Sequence, residues 1–243
     1  MSEQTRAILV VGAGSGTGGA IAKRFAREGY VACVARRSAD KLADLVAEIE
    51  AEGNAARAFS LDATDDQAVI DTFNTIEDEI GPVEVAVYNA AGFARSAIVE
   101  TTTETYRDMW EICALGGFLI GREAAKRMKP RGQGSILFTG ASASLRGNAN
   151  FAAFAAGKHA LRVTAQSMSR ELGPEGIHIA HFIIDGLIDA PRSRAMMNDA
   201  FEKLGENGAL KPEAIADAYW AVHTQSPSAW TFEMDLRPFK ERW

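Results

Sequence analysis

Cysteine is nearly absent from this chain, and so is any surplus of positive charge. The two cysteines, Cys33 and Cys113, build neither a disulfide framework nor a metal-binding quartet. Lys+Arg number 26 against 32 Asp+Glu, a formal net charge of −6, so no basic surface awaits a nucleic-acid backbone. No run approaches the roughly 18 uninterrupted apolar residues of a membrane span. The opening Met1-Ser2-Glu3-Gln4-Thr5-Arg6 lacks a signal peptide's basic region and cleavage pattern, so a cytoplasmic protein is expected. Linkers, charge blocks, low-complexity stretches and solenoid repeats are missing too. With 47% hydrophobic residues, the expectation is one folded domain over 1–243, with a small substrate loop and helical region near 187–212.

What is present is alternation. Short apolar runs at Ala7–Val11, Val31–Ala35, Ala55–Ser60, Val83–Tyr88, Ser135–Phe138, Ile177–Ile184 and Trp230–Leu236 read as strands. Between them, helical spacing runs through Gly16–Glu28, Ala39–Ala51, Asp65–Ile80, Thr103–Met128 and Phe151–Leu172, with further helical patches at 192–204 and 212–223. Gly116, Gly117 and Gly121 weaken the long fourth helix. Strict βα order implies right-handed crossovers. The fold class expected is α/β, a Rossmann-type doubly wound parallel sheet of about seven strands with helices on both faces.

After the first strand comes Gly12-Ala13-Gly14-Ser15-Gly16-Thr17-Gly18-Gly19, a G-x-x-x-G-x-G spacing that opens a helix. In a dinucleotide site Gly12 permits the tight turn, Gly16 lets backbone approach the pyrophosphate, and Gly18 lets helix and strand pack closely. The helix N-terminus offers free N–H groups to phosphate. The second strand ends in Val34-Ala35-Arg36-Arg37-Ser38, with no carboxylate before Asp40. An acid there would hold a ribose 2′-hydroxyl, whereas a guanidinium pairs with a 2′-phosphate. NADP(H) is therefore favoured over NAD(H), with Arg36 the main contact and Arg37 or Ser15 assisting.

The chain resembles the short-chain dehydrogenase/reductase family over essentially its whole length. The resemblance rests on Gly12, Gly16 and Gly18, on Asp62 after the third strand, on Asn89-Ala90-Ala91-Gly92 after the fourth, and on Lys158 in the helix after the fifth. It implies a nicotinamide cofactor, with Asp62 touching the adenine amino group and Asn89 supporting the adenosine ribose and the strand ends. It also implies that Gly92 and the segment Asp185-Gly186-Leu187-Ile188-Asp189-Ala190 lie along the cofactor, with Gly186 and Ile188 as contacts and Asp185 in place of the usual proline. Lys158 would hydrogen-bond the nicotinamide ribose. A homodimer or homotetramer is expected through the Ala- and Gly-rich helices at 103–128 and 151–172.

The usual catalytic Tyr, Ser and Asn are replaced. Their positions hold Phe154, Ala141 and Cys113, and only Lys158 is retained. Carbonyl reduction needs a proton donor beside the oxygen that receives charge, and phenylalanine has none. Ser142 and Asp185 are the candidate substitutes. A turn or N-cap role for Ser142 and a capping or loop-binding role for Asp185 stand as alternatives. Cys113 reads as an apolar filler, since no histidine is near it in sequence. Phe93, Arg95, Arg146 and residues 187–200 are candidates for the substrate mouth. Met196, Met197 and Phe201 fit either an apolar ligand or helix packing, and no metal site is expected. Two functions remain open: an NADP(H)-dependent oxidoreductase acting on a small carbonyl or alcohol through an atypical centre, and a cofactor-binding sensor or regulatory protein without turnover.

Overall fold

A computed structural model describes residues 5–241. Met1, Ser2, Glu3 and Gln4, on which the reading of the N-terminus partly rests, lie outside them. Seven strands form one parallel sheet: β1 (Arg6–Val11), β2 (Tyr30–Arg36), β3 (Ala56–Ser60), β4 (Val83–Tyr88), β5 (Gly134–Thr139), β6 (Ile177–Ile184) and β7 (Glu233–Leu236). Their spatial order is β3-β2-β1-β4-β5-β6-β7. The chain builds outward from β1 to β3, then crosses to start again at β4. The seam between β1 and β4 is therefore the switch point, where the carboxyl ends of strands leave a crevice for a ligand.

The two faces follow from the pleat of β1. Ala7, Leu9 and Val11 join one core, and Ile8 and Val10 join the other. The first core is closed by α3 (Asp66–Glu79), α5 (Gly116–Met128) and α6 (Ala152–Leu172). The second is closed by α1 (Thr17–Ala26), α2 (Ala43–Ala51) and α8 (Pro212–His223). Caps set the starts of two helices. Asp65 accepts from the Ala68 N–H at 3.1 Å before α3, and Thr102 accepts from the Thr105 N–H at 3.1 Å before α4 (Thr103–Trp110).

Three expectations need correction. The helix read over Thr103–Met128 is divided by a wider π-helical turn, Glu111–Leu115, between α4 and α5. Its cause is Tyr88, whose buried hydroxyl donates to the Ile112 carbonyl and would collide with a side chain at Gly116. The glycines of α5 are thus close-packing positions: Gly121 faces Met168 and Phe138, and Gly117 faces Leu161 and Tyr88. The last strand is shorter than read, starting at Glu233, and Trp230 before it stacks on His178 with ring centroids 4.7 Å apart. The helical patch at 192–204 forms α7 (Pro191–Leu204), but Met197 breaks its regular backbone.

Two histidines, His181 buried and His223 half-buried, tie the stability of this architecture to pH. His181 on β6 bonds Glu233, beside Arg162, and His223 at the end of α8 bonds Ser135 and Tyr30. Burial pushes both down to about 4. Each binds a proton more readily unfolded, near the ordinary 6.5, than folded. Stability is therefore expected to be full above about pH 6.5 and to fall as pH drops towards 4. Urea midpoints at pH 7 and pH 5 check this, and equal midpoints would contradict it.

Candidate functional site

The glycine turn is fixed against the end of β4 by close approach. Gly12 has φ +87°, and a side-chain carbon there would lie 2.6 Å from the Ala90 Cα and 2.8 Å from the Asn89 carbonyl carbon. A carbon on Gly18 would lie 2.6 Å from the Gly12 oxygen. Asn89 completes the lock: its Nδ2 donates to the Gly12 oxygen at 2.9 Å, and its backbone N–H donates to Val11 at 2.9 Å. Gly16 differs. Among the described residues its only near neighbour is the Ala190 Cβ at 3.4 Å, so protein packing does not demand a glycine there.

Two residues here escaped the sequence reading. Gly19 lies against the Gly14 carbonyl oxygen, which leaves no room for a side chain. Thr17 is buried, and its hydroxyl has no partner among the described residues. The unsatisfied hydroxyl sits at the start of α1, whose first turn has no side-chain cap. An open backbone at Gly16, an uncapped helix start and an orphaned hydroxyl together fit a phosphate group.

Beside this turn lies a cleft of about 590 Å³ lined by Gly14, Ser15, Gly16, Arg36 and Lys41 among others. Lys23, Arg24 and Arg27 on its wall are already paired, to Glu48, Asp217 and Glu52. Arg36 ends β2 half-buried, 3.6 Å from where a Gly14 side chain would begin, and has no carboxylate partner among the described residues. Arg37 is exposed, and Ser60 bonds its carbonyl at 2.9 Å. Asp62 accepts from the Thr64 hydroxyl at 2.7 Å and its N–H at 3.0 Å. These bonds, with a smaller contribution from Arg37, hold the Asp62 carboxyl below the usual range.

At the other end of the crevice, Lys158 on α6 is buried, and its Nζ donates to the Thr139 carbonyl at 2.8 Å. Burial pushes this ammonium down from its ordinary value. Phe154 lies one turn earlier, its ring centroid 6.0 Å from that Nζ. The rings of Phe93 and Phe151 join Phe154 in a cluster. Ala141 is half-buried, and its N–H donates to Ser144 Oγ at 3.2 Å. Ser144 is therefore occupied, while the half-buried Ser142 hydroxyl has no side-chain hydrogen bond among the described residues. Cys113 is buried in the π-helical turn, packed where α6 carries Gly157.

Asp185 is buried and shared between two guanidiniums, Arg146 at 3.4 Å and Arg237 at 3.7 Å. It ties the loops after β5 and β6 to the segment after β7. Gly186, with φ +141°, sits 2.8 Å from Pro238 by its missing side chain. Ile188 bridges Leu210 and leads to Ala190 against Gly16, so this loop lies over the glycine turn. Gly92 packs tightly under Met109. Of the region at 187–200, Asp189 and Arg194 pair with each other, and Met196 and Met197 are exposed. Phe201, by contrast, is buried. Among the described residues no helix is long and apolar enough to cross a membrane.

A family model described as short chain dehydrogenase matches residues 6–200. The chain is similar to a short-chain dehydrogenase from Rhodopseudomonas palustris of known structure, at 44% identity and a TM-score of 0.83, covering 96% of this chain and 99% of that one. It is 32% identical over 192 residues to the 3-oxoacyl-(acyl-carrier-protein) reductase MabA of Mycobacterium avium, covering 79% of this chain and 71% of the relative. It is 30% identical over 223 residues to the 1-deoxy-11-beta-hydroxypentalenate dehydrogenase of Streptomyces exfoliatus, covering 90% and 80%.

Proposed function

The chain belongs to the short-chain dehydrogenase family, and from that premise we propose that it is an NADP(H)-dependent oxidoreductase of a carbonyl or alcohol with an atypical proton relay. The observation that carries the cofactor choice is Arg36, half-buried at the end of β2 with no carboxylate partner among the described residues. An acid in that place would repel a 2′-phosphate, and a guanidinium pairs with it bidentately. Ser15 and Arg37 assist from either side. The open backbone at Gly16, the first turn of α1 and the Thr17 hydroxyl receive the pyrophosphate. Asp62 takes the adenine amino group. Asn89, bonded to Gly12, would support the adenosine ribose, and Gly92, Gly186 and Ile188 would line the nicotinamide end.

The cofactor, when bound, would supply the hydride that a carbonyl carbon accepts. The chain's part is to place that carbon and to deliver a proton to the oxygen. Lys158 has one N–H on Thr139 and others to spare, with which it would hold the nicotinamide ribose. No phenol stands at position 154. Of the two candidate donors, Asp185 is held as an ion-paired tether between Arg146 and Arg237, which leaves the Ser142 hydroxyl to relay a proton from solvent. Such a relay is slow, because a positioned general acid contributes about 10²–10⁴-fold.

A second reading, cofactor binding without turnover, is favoured by one observation. Phe154 and Ala141 carry no proton donor, and Cys113 is fully buried. NADPH oxidation with a panel of ketones and aldehydes separates the two. Slow turnover that Ser142→Ala reduces supports the oxidoreductase. Intact NADPH binding with no turnover supports the second reading.

The proposal includes self-association. Tyr106 and Trp110 on α4, Phe118 on α5 and Val163 on α6 are large apolar side chains left exposed on the two helical arms named above. Light scattering at micromolar concentration is expected to show a dimer or tetramer, and a monomer-sized particle would contradict it.

A further inference from the structure

We propose that the mouth between the loops after β4 and β5 takes an aromatic molecule carrying one carboxylate. This rests on the reading above that the substrate enters at the carboxyl ends of the strands. The apolar wall is Phe93, Phe151 and Phe154. The Phe93 ring meets each of the other two at a centroid distance of 5.8 Å, edge-on to Phe151 and tilted to Phe154. Phe93 is nonetheless 61% exposed. It follows Gly92 on a loop held in place by the Ser96 N–H, which donates to the Asn150 carbonyl at 2.9 Å. A fixed ring that is packed on one side and bare on the other is a stacking platform for a second aromatic system. Phe154 extends the same wall over the place where the family carries a phenol.

The rim supplies charge of one sign. The Arg95 guanidinium sits 5.9 Å over the Phe151 ring, is exposed, and pairs with no carboxylate among the described residues. Arg146 is 39% exposed along its side chain and touches Asp185 through one nitrogen at 3.4 Å. Asp185 itself is buried and faces inward, where Arg237 also takes it. Among the described residues the rim thus carries an unpaired guanidinium in Arg95 and a partly exposed one in Arg146, and its carboxylate is buried. Guanidiniums select planar carboxylates, and one beside an aromatic ring suits a ligand that carries both an aromatic system and a carboxylate.

The test uses the full chain and two fluorescent probes, naphthoate and its neutral amide, titrated both into the free protein and into protein saturated with NADPH. Naphthoate is expected to bind at least tenfold more tightly than the amide. Arg95→Gln with Arg146→Gln is expected to bring the two affinities within about twofold, and Phe93→Ala to weaken both probes alike by roughly tenfold. Arg95→Gln alone, on an exposed side chain, is expected to narrow the preference by about threefold and keeps the test readable should the double variant fold poorly. Equal affinities in the wild type, or a preference that survives these substitutions, would overturn the proposal. Absence of NADPH binding in the same titrations overturns the cofactor reading instead, while the comparison on the free protein still decides the anion preference.

Discussion

Replacing Ala141 by serine and Phe154 by tyrosine together is expected to raise NADPH-dependent carbonyl reduction roughly 10²-fold or more above wild type, since that is what a positioned general acid contributes. The ground is geometric. Phe154 precedes Lys158 by one helical turn, and its ring already lies 6.0 Å from the ammonium. A phenol in that place would sit over a positive charge, which lowers its pKa and readies it to give a proton. A serine at 141 would stand on the loop after β5, beside Ser144, and orient the carbonyl oxygen. Either change alone supplies one half of the pair and is expected to gain far less. The rate of NADPH oxidation with the best carbonyl of the panel measures both proteins. No gain from the double variant would mean that the pocket has been rebuilt beyond its proton donor.

Gly12→Ala and Gly16→Ala are expected to fail in different ways. Gly12 has φ +87° and lies against Asn89 and Ala90, so a methyl group there strains the backbone and wedges β1 from β4. The left-handed backbone costs about 1–2 kcal/mol and the overpacking about 1–3 kcal/mol. For a chain of this size each kcal/mol moves the melting temperature by about 2–4 °C, so a fall on the order of 10 °C is expected. At Gly16 the methyl group meets only Ala190, at 3.4 Å, and the fold is spared. That methyl group occupies the approach of the pyrophosphate, and NADPH affinity is expected to fall at least tenfold with the melting temperature nearly unchanged. Thermal melts with and without NADPH measure both variants. Equal loss of stability in the two would contradict the division of labour.

Much of this fold was legible because buried parallel strands are written as continuous apolar runs. Ala7–Val11 is such a run and falls within β1, while Val83–Tyr88 and Ile177–Ile184 match their strand bounds although Glu84, His178 and His181 interrupt them. What could not be read depends on contacts between distant residues. Nothing near residue 111 announces a π-helical turn, because its cause is a phenol at Tyr88 that reaches Ile112. In sequence Asp185 is a carboxylate of open role. Its tether needs Arg146 and Arg237, which sit on two other loops. Thr17 carries no signal in a glycine-rich motif until its hydroxyl is seen to be buried and unpaired. Glycine spacing was informative at Gly12 and Gly18, where it encodes contact. In the long helix the same residue type looked like weakness and proved to be packing.

If Arg36 reads the 2′-phosphate of NADP(H), calorimetric titration of the wild type and Arg36→Asp with NADPH and NADH will show it. Wild type is expected to bind NADPH at least tenfold more tightly than NADH, about 1.4 kcal/mol, and Arg36→Asp to lose or reverse that preference. Equal affinities in the wild type, tighter NADH, or a preference that survives Arg36→Asp would contradict it.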